Sequence, residues 1–156
     1  MIGVGQIKSI TNKRELVSAL NILQTVKRKR IEMQYAGVIK KIGGNEFQPE
    51  LNPYDQIFTF IICESIADFA KFTSEEIDRI YSGKSTSSKH NAILSINDCL
   101  FRYNAQENNV AISFPFLPGK KMIAMTTTKS EEDNILHILG LINDLYIAMT
   151  VPLYFN

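Results

Sequence analysis

The sequence predicts an α+β domain, an antiparallel five-stranded sheet with helices on both faces, in the order helix, two strands, helix, three strands, helix. Three observations carry that prediction. Apolar residues recur at helical spacing near both ends, at Leu16, Leu20, Leu23 and Val26 and again at Ile135, Ile138, Leu139, Ile142 and Leu145. Val110, Ile112, Phe114 and Phe116 alternate with smaller or polar residues, as a half-buried strand requires. Between these lies one long apolar stretch, Asn52–Phe72, which the rest of the chain must cover.

Composition narrows the function classes. With 156 residues, 45% hydrophobic content, nine Phe and six Tyr, residues 1–156 suit a single domain with a real core. Lys and Arg number 17 against 16 Asp and Glu, and a net charge of +1 argues against a nucleic-acid binder dominated by phosphate contacts. No apolar run approaches the roughly 18–20 residues of a membrane span, so any membrane association is expected to be indirect. There is no signal peptide, and Cys63 and Cys99 form no CxxC pair; a cytoplasmic protein with both thiols buried as small hydrophobes is the expectation.

Residues 2–10 carry little pattern and are either a strand or a tail. Asn12 followed by Glu15 has capping-box spacing and opens a helix over residues 12–29. That helix ends in Lys27, Arg28, Lys29 and Arg30. The run reads either as a solvated last turn whose cations complement the helix dipole, or as a patch for an acidic partner or anionic membrane surface. A hairpin follows, Tyr35–Lys41 and Glu46–Leu51, turning at Gly43-Gly44-Asn45, with Pro49 marking an edge.

Asn52 as N-cap, Pro53 at the first helical position and Asp55 in the first turn predict a helix through Phe72. Ile57, Phe58, Phe60, Ile61, Ile62, Ile66 and Phe69 leave it apolar almost all round, with a polar strip at Glu64, Ser65 and Asp68. One sheet cannot bury that much of a helix, so a second subunit is expected on its other side. A satellite helix from Ser74 to Ser82 and a mobile, catalytically silent loop at Gly83–Ser88 come next. Residues 91–104 are one bent strand, two strands broken at Asn97-Asp98, or part helix. Residues 121–128 form the last strand and residues 131–149 the last helix, placed with helix 12–29 on the face opposite 53–72.

The search for chemistry returns little. Gly83-Lys84-Ser85 imitates the end of a phosphate-binding loop, but that loop needs glycine where Asp78 stands, and a strand before it rather than a helix. His90 and His137 lie apart and in no metal-ligand spacing. Glu75-Glu76 and Glu131-Glu132 sit in first helical turns, where the dipole explains them. The expectation is therefore a non-enzyme, with no catalytic residue, cofactor or metal.

The element order resembles the roadblock/dynein-light-chain domain, and its permuted relative, the longin domain. Residues 35–72 look like the opening hairpin and first helix of sedlin-type longin subunits of TRAPP tethering complexes. Residues 121–155 look like their last strand, next helix and Asn-Pro-aromatic segment, with Val151-Pro152-Leu153-Tyr154 here lacking the Asn. The front helix 12–29 fits the roadblock order and not the longin one. The resemblance implies a non-catalytic dimeric adaptor, paired with itself or a related subunit, that engages a small GTPase of trafficking or motility machinery. It also implies a two-fold interface built from the central helix and the first strand of the three-strand unit, at Ile57, Phe60, Ile61, Glu64, Asp68, Cys99, Phe101 and Tyr103. The alternatives are a small ligand-binding or enzymatic domain using His90, Glu64 or Arg102, and a secretion-chaperone or immunity-type binding protein.

Overall fold

The computed structural model describes residues 3–35, 48, 55–68, 73–105, 110–115, 122–128 and 134–150. The chain opens with a strand, β1 (Gly3–Thr11), and the capping box then forms as its spacing predicts. Glu15 N donates to Asn12 Oδ1 at 3.0 Å, and Asn12 N donates to Glu15 Oε2 at 3.3 Å. This starts α1 (Lys13–Tyr35), which runs past residue 29 into the start of the expected hairpin; the remainder of that hairpin lies almost wholly outside the described residues. After β2 (Phe58–Ile66) come α2 (Ser74–Ile80), a 3₁₀ turn at Thr86–Ser88, and β3 (Ala92–Ser95). Then follow β4 (Cys99–Ala105), β5 (Val110–Ile112), β6 (Met122–Thr128) and α3 (Asn134–Thr150).

These strands make one mixed sheet, not an antiparallel five-stranded one. β1 lies parallel to β2, and β2 parallel to β3. The sheet turns antiparallel only at β4, whose one edge takes β3 and then β5 while its other edge takes β6. Among the described residues the order is β-α-β-α-ββββ-α, where α-ββ-α-βββ-α is expected.

The cause of the misreading is β2. The run that predicts a helix over 52–72 is a central parallel strand, buried on both faces. Such strands read as continuous apolar segments, without alternation, and periodicity alone cannot separate them from a buried helix. Its composition, Phe-Thr-Phe-Ile-Ile-Cys, is aromatic and β-branched, which fits a pleated surface better than a helical turn. Residues 52, 53, 69 and 72 of the expected helix lie outside the described residues.

Each sheet face has its own core. On one, Leu16, Ala19, Leu20 and Leu23 of α1 and Ile77 of α2 meet Ile61, Cys63, Ile93, Cys99 and Phe101. On the other, Leu141 of α3 meets Phe58, Leu94, Leu100 and Phe114. So α1 and α3 sit on opposite faces, where helices 12–29 and 131–149 were expected together. The hairpin β3–β4 settles the open reading of 91–104 as two strands. Its turn is held by the Asp98 carboxylate, which accepts from Ile66 N at 2.7 Å and Ser95 Oγ at 2.5 Å.

One close approach ties β1 to β2. A Cβ at Gly5 would lie 2.3 Å from ring carbons of Phe60. Gly5→Ala must therefore displace that ring, at an expected cost of about 1–3 kcal/mol, as for overpacking elsewhere. Urea unfolding measures it; an unchanged midpoint would show that β1 is not seated against Phe60.

Candidate functional site

The surface that stands out is the outer edge of the sheet. The β1–β2 register runs without a bulge from Gly3↔Phe58 to Thr11↔Ile66. Ala67 N donates to the Thr11 carbonyl at 2.8 Å, which fixes the direction of that residue's backbone groups. Because these directions alternate along a strand, the N–H and C=O of Val4, Gln6, Lys8 and Ile10 point away from β2. Among the described residues β1 pairs with β2 alone. Two large apolar side chains stand in water on this strand, Ile7 at 80% exposure and Ile10 at 61%.

Beside it lies α3. Ile138, Leu141 and Leu145 face the sheet, while Leu136, Leu139, Ile142 and Tyr146 are exposed along the other side of the helix. Asp144 orients the helix, because its Oδ2 takes both Arg102 Nη2 of β4 and Ser113 Oγ. Asn91 extends this network, donating to the Ser113 carbonyl at 2.8 Å and accepting from Thr59 N at 2.9 Å. Arg102, a candidate ligand-binding residue from the sequence, thus has a structural ion pair under α3.

His90, another such candidate, is 2% exposed and stacked on Tyr81. His90 N donates to Tyr81 Oη at 3.2 Å, and the same hydroxyl lies 3.0 Å from His90 Nδ1. Tyr103 Oη donates to the His90 carbonyl at 2.9 Å. Burial, with the Lys27 and Lys89 charges adding to it, drops the His90 pKa to about 3 and keeps the ring neutral. Lys27, continuing the buried stripe of α1, is also 2% exposed, and its Nζ donates to Gln56 Oε1 at 3.3 Å. Burial lowers its pKa to about 7. Burial likewise pushes both tyrosines up. His90, Tyr81, Tyr103 and Lys27 are all buried, and burial shifts each of them toward its neutral form.

The loop expected to be mobile is tied to α1. Lys84 Nζ donates to Gln24 Oε1 at 2.9 Å and Asn21 Oδ1 at 3.3 Å, and Gln24 Nε2 donates to Ser88 Oγ at 3.3 Å. Between them is a groove of about 350 Å³ lined by Gln24, Thr25, Arg28, Ile31, Lys84, Ser85 and Ser88. Most of its polar groups are engaged with one another.

The residues expected at a two-fold helical interface disperse. Ile61, Cys99 and Phe101 come together, but inside the α1-side core, and Tyr103 is buried against His90. Phe60 and Ile57 are half-buried, while Glu64 and Asp68 are exposed at the far end of β2. The basic run splits around its helix. Lys27 points inward; Arg28 pairs with Glu32; Lys29 is exposed; Arg30 Nε donates to the Asp55 carbonyl at 3.2 Å. Among the described residues no group of His, Cys, Asp and Glu could hold a metal, and no helix is long and apolar enough to cross a membrane.

Of the two readings open for residues 2–10, a strand or a tail, the structure shows the strand, β1. Its only early signal is alternation, Val4-Gln6-Lys8-Ile10 against Gly5-Ile7-Ser9, diluted by two glycines. No family model matches the chain, and neither a curated protein nor a solved structure matches it.

Proposed function

We propose that this chain is a protein-binding module without chemistry of its own, and that it takes its partner as an added strand along the outer edge of β1. The observation that carries the reading is the ladder of Val4, Gln6, Lys8 and Ile10, open among the described residues, with Ile7 in water beside it. An unpaired ladder recognises one shape, another extended backbone, while flanking side chains select the sequence. The burial of His90 and Lys27, both hydrogen-bonded within the core, supports the non-catalytic half of the proposal. The small-GTPase partner implied by the resemblance is carried no further, because the helix on which that platform rested is strand β2.

Gln6→Pro tests the reading. Proline there removes an outward N–H and leaves the β1–β2 ladder intact, the one arrangement in which a strand tolerates proline. Random 12-residue peptides displayed and selected on the wild-type protein should yield binders with alternating apolar residues. Their affinity should fall at least ~10-fold on Gln6→Pro, about 1.4 kcal/mol, the scale of one or two backbone hydrogen bonds. Circular dichroism and the melting temperature should stay close to wild type. Selected peptides indifferent to Gln6→Pro would overturn the reading.

A further inference from the structure

We infer that the strand added to β1 is β1 of a second copy of this chain, antiparallel and centred on Ile7, so that two sheets join into one. The inference rests on the strand-addition reading and names its partner. Its warrant is the self-complementarity of the edge. In an antiparallel ladder, residues whose backbone groups point outward must meet residues of the same kind. Only even-numbered positions of β1 do so, so a slip of one residue is ruled out.

Side chains then choose among the remaining registers. Centred on Ile7, each Ile7 meets Ile7 of the partner subunit on one face of the sheet. On the other face Ile10 meets the half-buried Val4 of the partner subunit, and Lys8 meets Gln6 of the partner subunit. Both exposed isoleucines gain an apolar cross-strand neighbour and no like charges are opposed. A slip of two residues one way sets Lys8 against Lys8 of the partner subunit; a slip the other way sets Lys8 against Val4 of the partner subunit and carries Ile10 past the start of the partner's β1 at Gly3.

The helices agree with that choice. A two-fold axis perpendicular to the sheet keeps α3 of both copies on one side. The Asp144 and Gly140 side of α3 faces Arg102 of β4. The opposite side, carrying Ile142, therefore looks toward the β1 edge. The two Ile142 side chains come to flank the Ile7 pair across the axis, and apolar surface exposed in one copy becomes shared between two.

Single cysteines at the edge test the register. In the non-hydrogen-bonded pair at the axis the two Cα atoms lie about 4.5 Å apart, within the range a disulfide spans. Ser9 is on the same face but meets Gly5 of the partner subunit, so two copies of position 9 lie on the order of 14 Å apart. Under mild oxidation with glutathione disulfide, Ile7→Cys should give a linked dimer at least tenfold faster than Ser9→Cys. Wild type, whose Cys63 and Cys99 are buried, should give none. Wild type should also sediment as a dimer at micromolar concentration, and Gln6→Pro as a monomer. A monomeric wild type, a dimer that Gln6→Pro leaves intact, or equal linking at positions 7 and 9 would each overturn the self-pairing. If wild type is monomeric but the selected peptides still bind in a Gln6-dependent way, strand addition stands and the second copy falls.

Discussion

Ile61→Asp is expected to leave the protein unfolded at 25 °C. Ile61 is 0% exposed on the α1 face of β2, packed in the cluster that includes Leu20, Ile93 and Phe101. Truncating a buried isoleucine alone costs about 2–5 kcal/mol. Aspartate adds a carboxylate inside an apolar cluster, and either its charge or its proton must be accommodated there. The total is expected to exceed about 5 kcal/mol, comparable with the entire stability of many domains of this size. Far-UV circular dichroism and urea titration read the result. Ile61→Val serves as the graded control, at about 0.5–1.5 kcal/mol. The outcome also separates two architectures. On an exposed helical face, as the sequence suggests for 52–72, the same substitution would spare the fold and change only the state of association. A cooperatively folded Ile61→Asp protein would therefore reopen the helical reading of this segment.

The contrast between Ile61 and Ile7 shows what was legible. Local chemistry was easy to read where one short-range interaction decides the structure. The Asn12–Glu15 box forms where its spacing places it, and the break at Asn97-Asp98 is one of the alternatives left open for residues 91–104. Strand β2 was not, because burial on both faces erases the alternation that marks a strand. Once β2 is read as a helix the parallel pairing vanishes with it. β1 then loses its partner and stays open between strand and tail, and α1 loses its role as the crossover between two parallel strands. A single wrong period thus went with an expected interface on residues that lie in the core, Ile61, Cys99, Phe101 and Tyr103.

The basic run failed for a different reason. Four consecutive cations on a helix cannot share one face, since successive residues turn by about 100°. One of them had to face the core, and the stripe Leu16, Leu20, Leu23 extends by four residues to Lys27. Arg102 and His90, candidate ligands from the sequence, are both engaged inside the fold. Their partners, Asp144 and Tyr81, lie far enough along the chain that no spacing rule connects them.

Lys27 gives the second large effect, and it is one of pH. Its pKa falls from the ordinary 10.5 to about 7 in the folded protein, through burial. Between those values the unfolded chain binds a proton that the folded chain does not, so stability rises with pH across that window. The slope approaches about 1.4 kcal/mol per pH unit. Below about pH 7 both states are charged and the penalty is present in full. His90, depressed from 6.5 to about 3, acts in the same direction over the next window down, between about pH 3 and 6.5. Tyr81 and Tyr103, both pushed up by burial, oppose the trend only above about pH 10, where the unfolded chain loses tyrosine protons first. Unfolding free energy should therefore climb from acid through neutral pH to a maximum near pH 9–10. Lys27→Met should flatten the climb between pH 7 and 10 and stabilise the protein at pH 6 by about 3–5 kcal/mol, less about 1 kcal/mol for the hydrogen bond that Gln56 loses. Urea unfolding at pH 6, 7.5 and 9 for both proteins measures this. A wild type with flat stability from pH 7 to 10, or a Lys27→Met protein weakened at pH 6, would show that the ammonium finds water or an acidic partner after all.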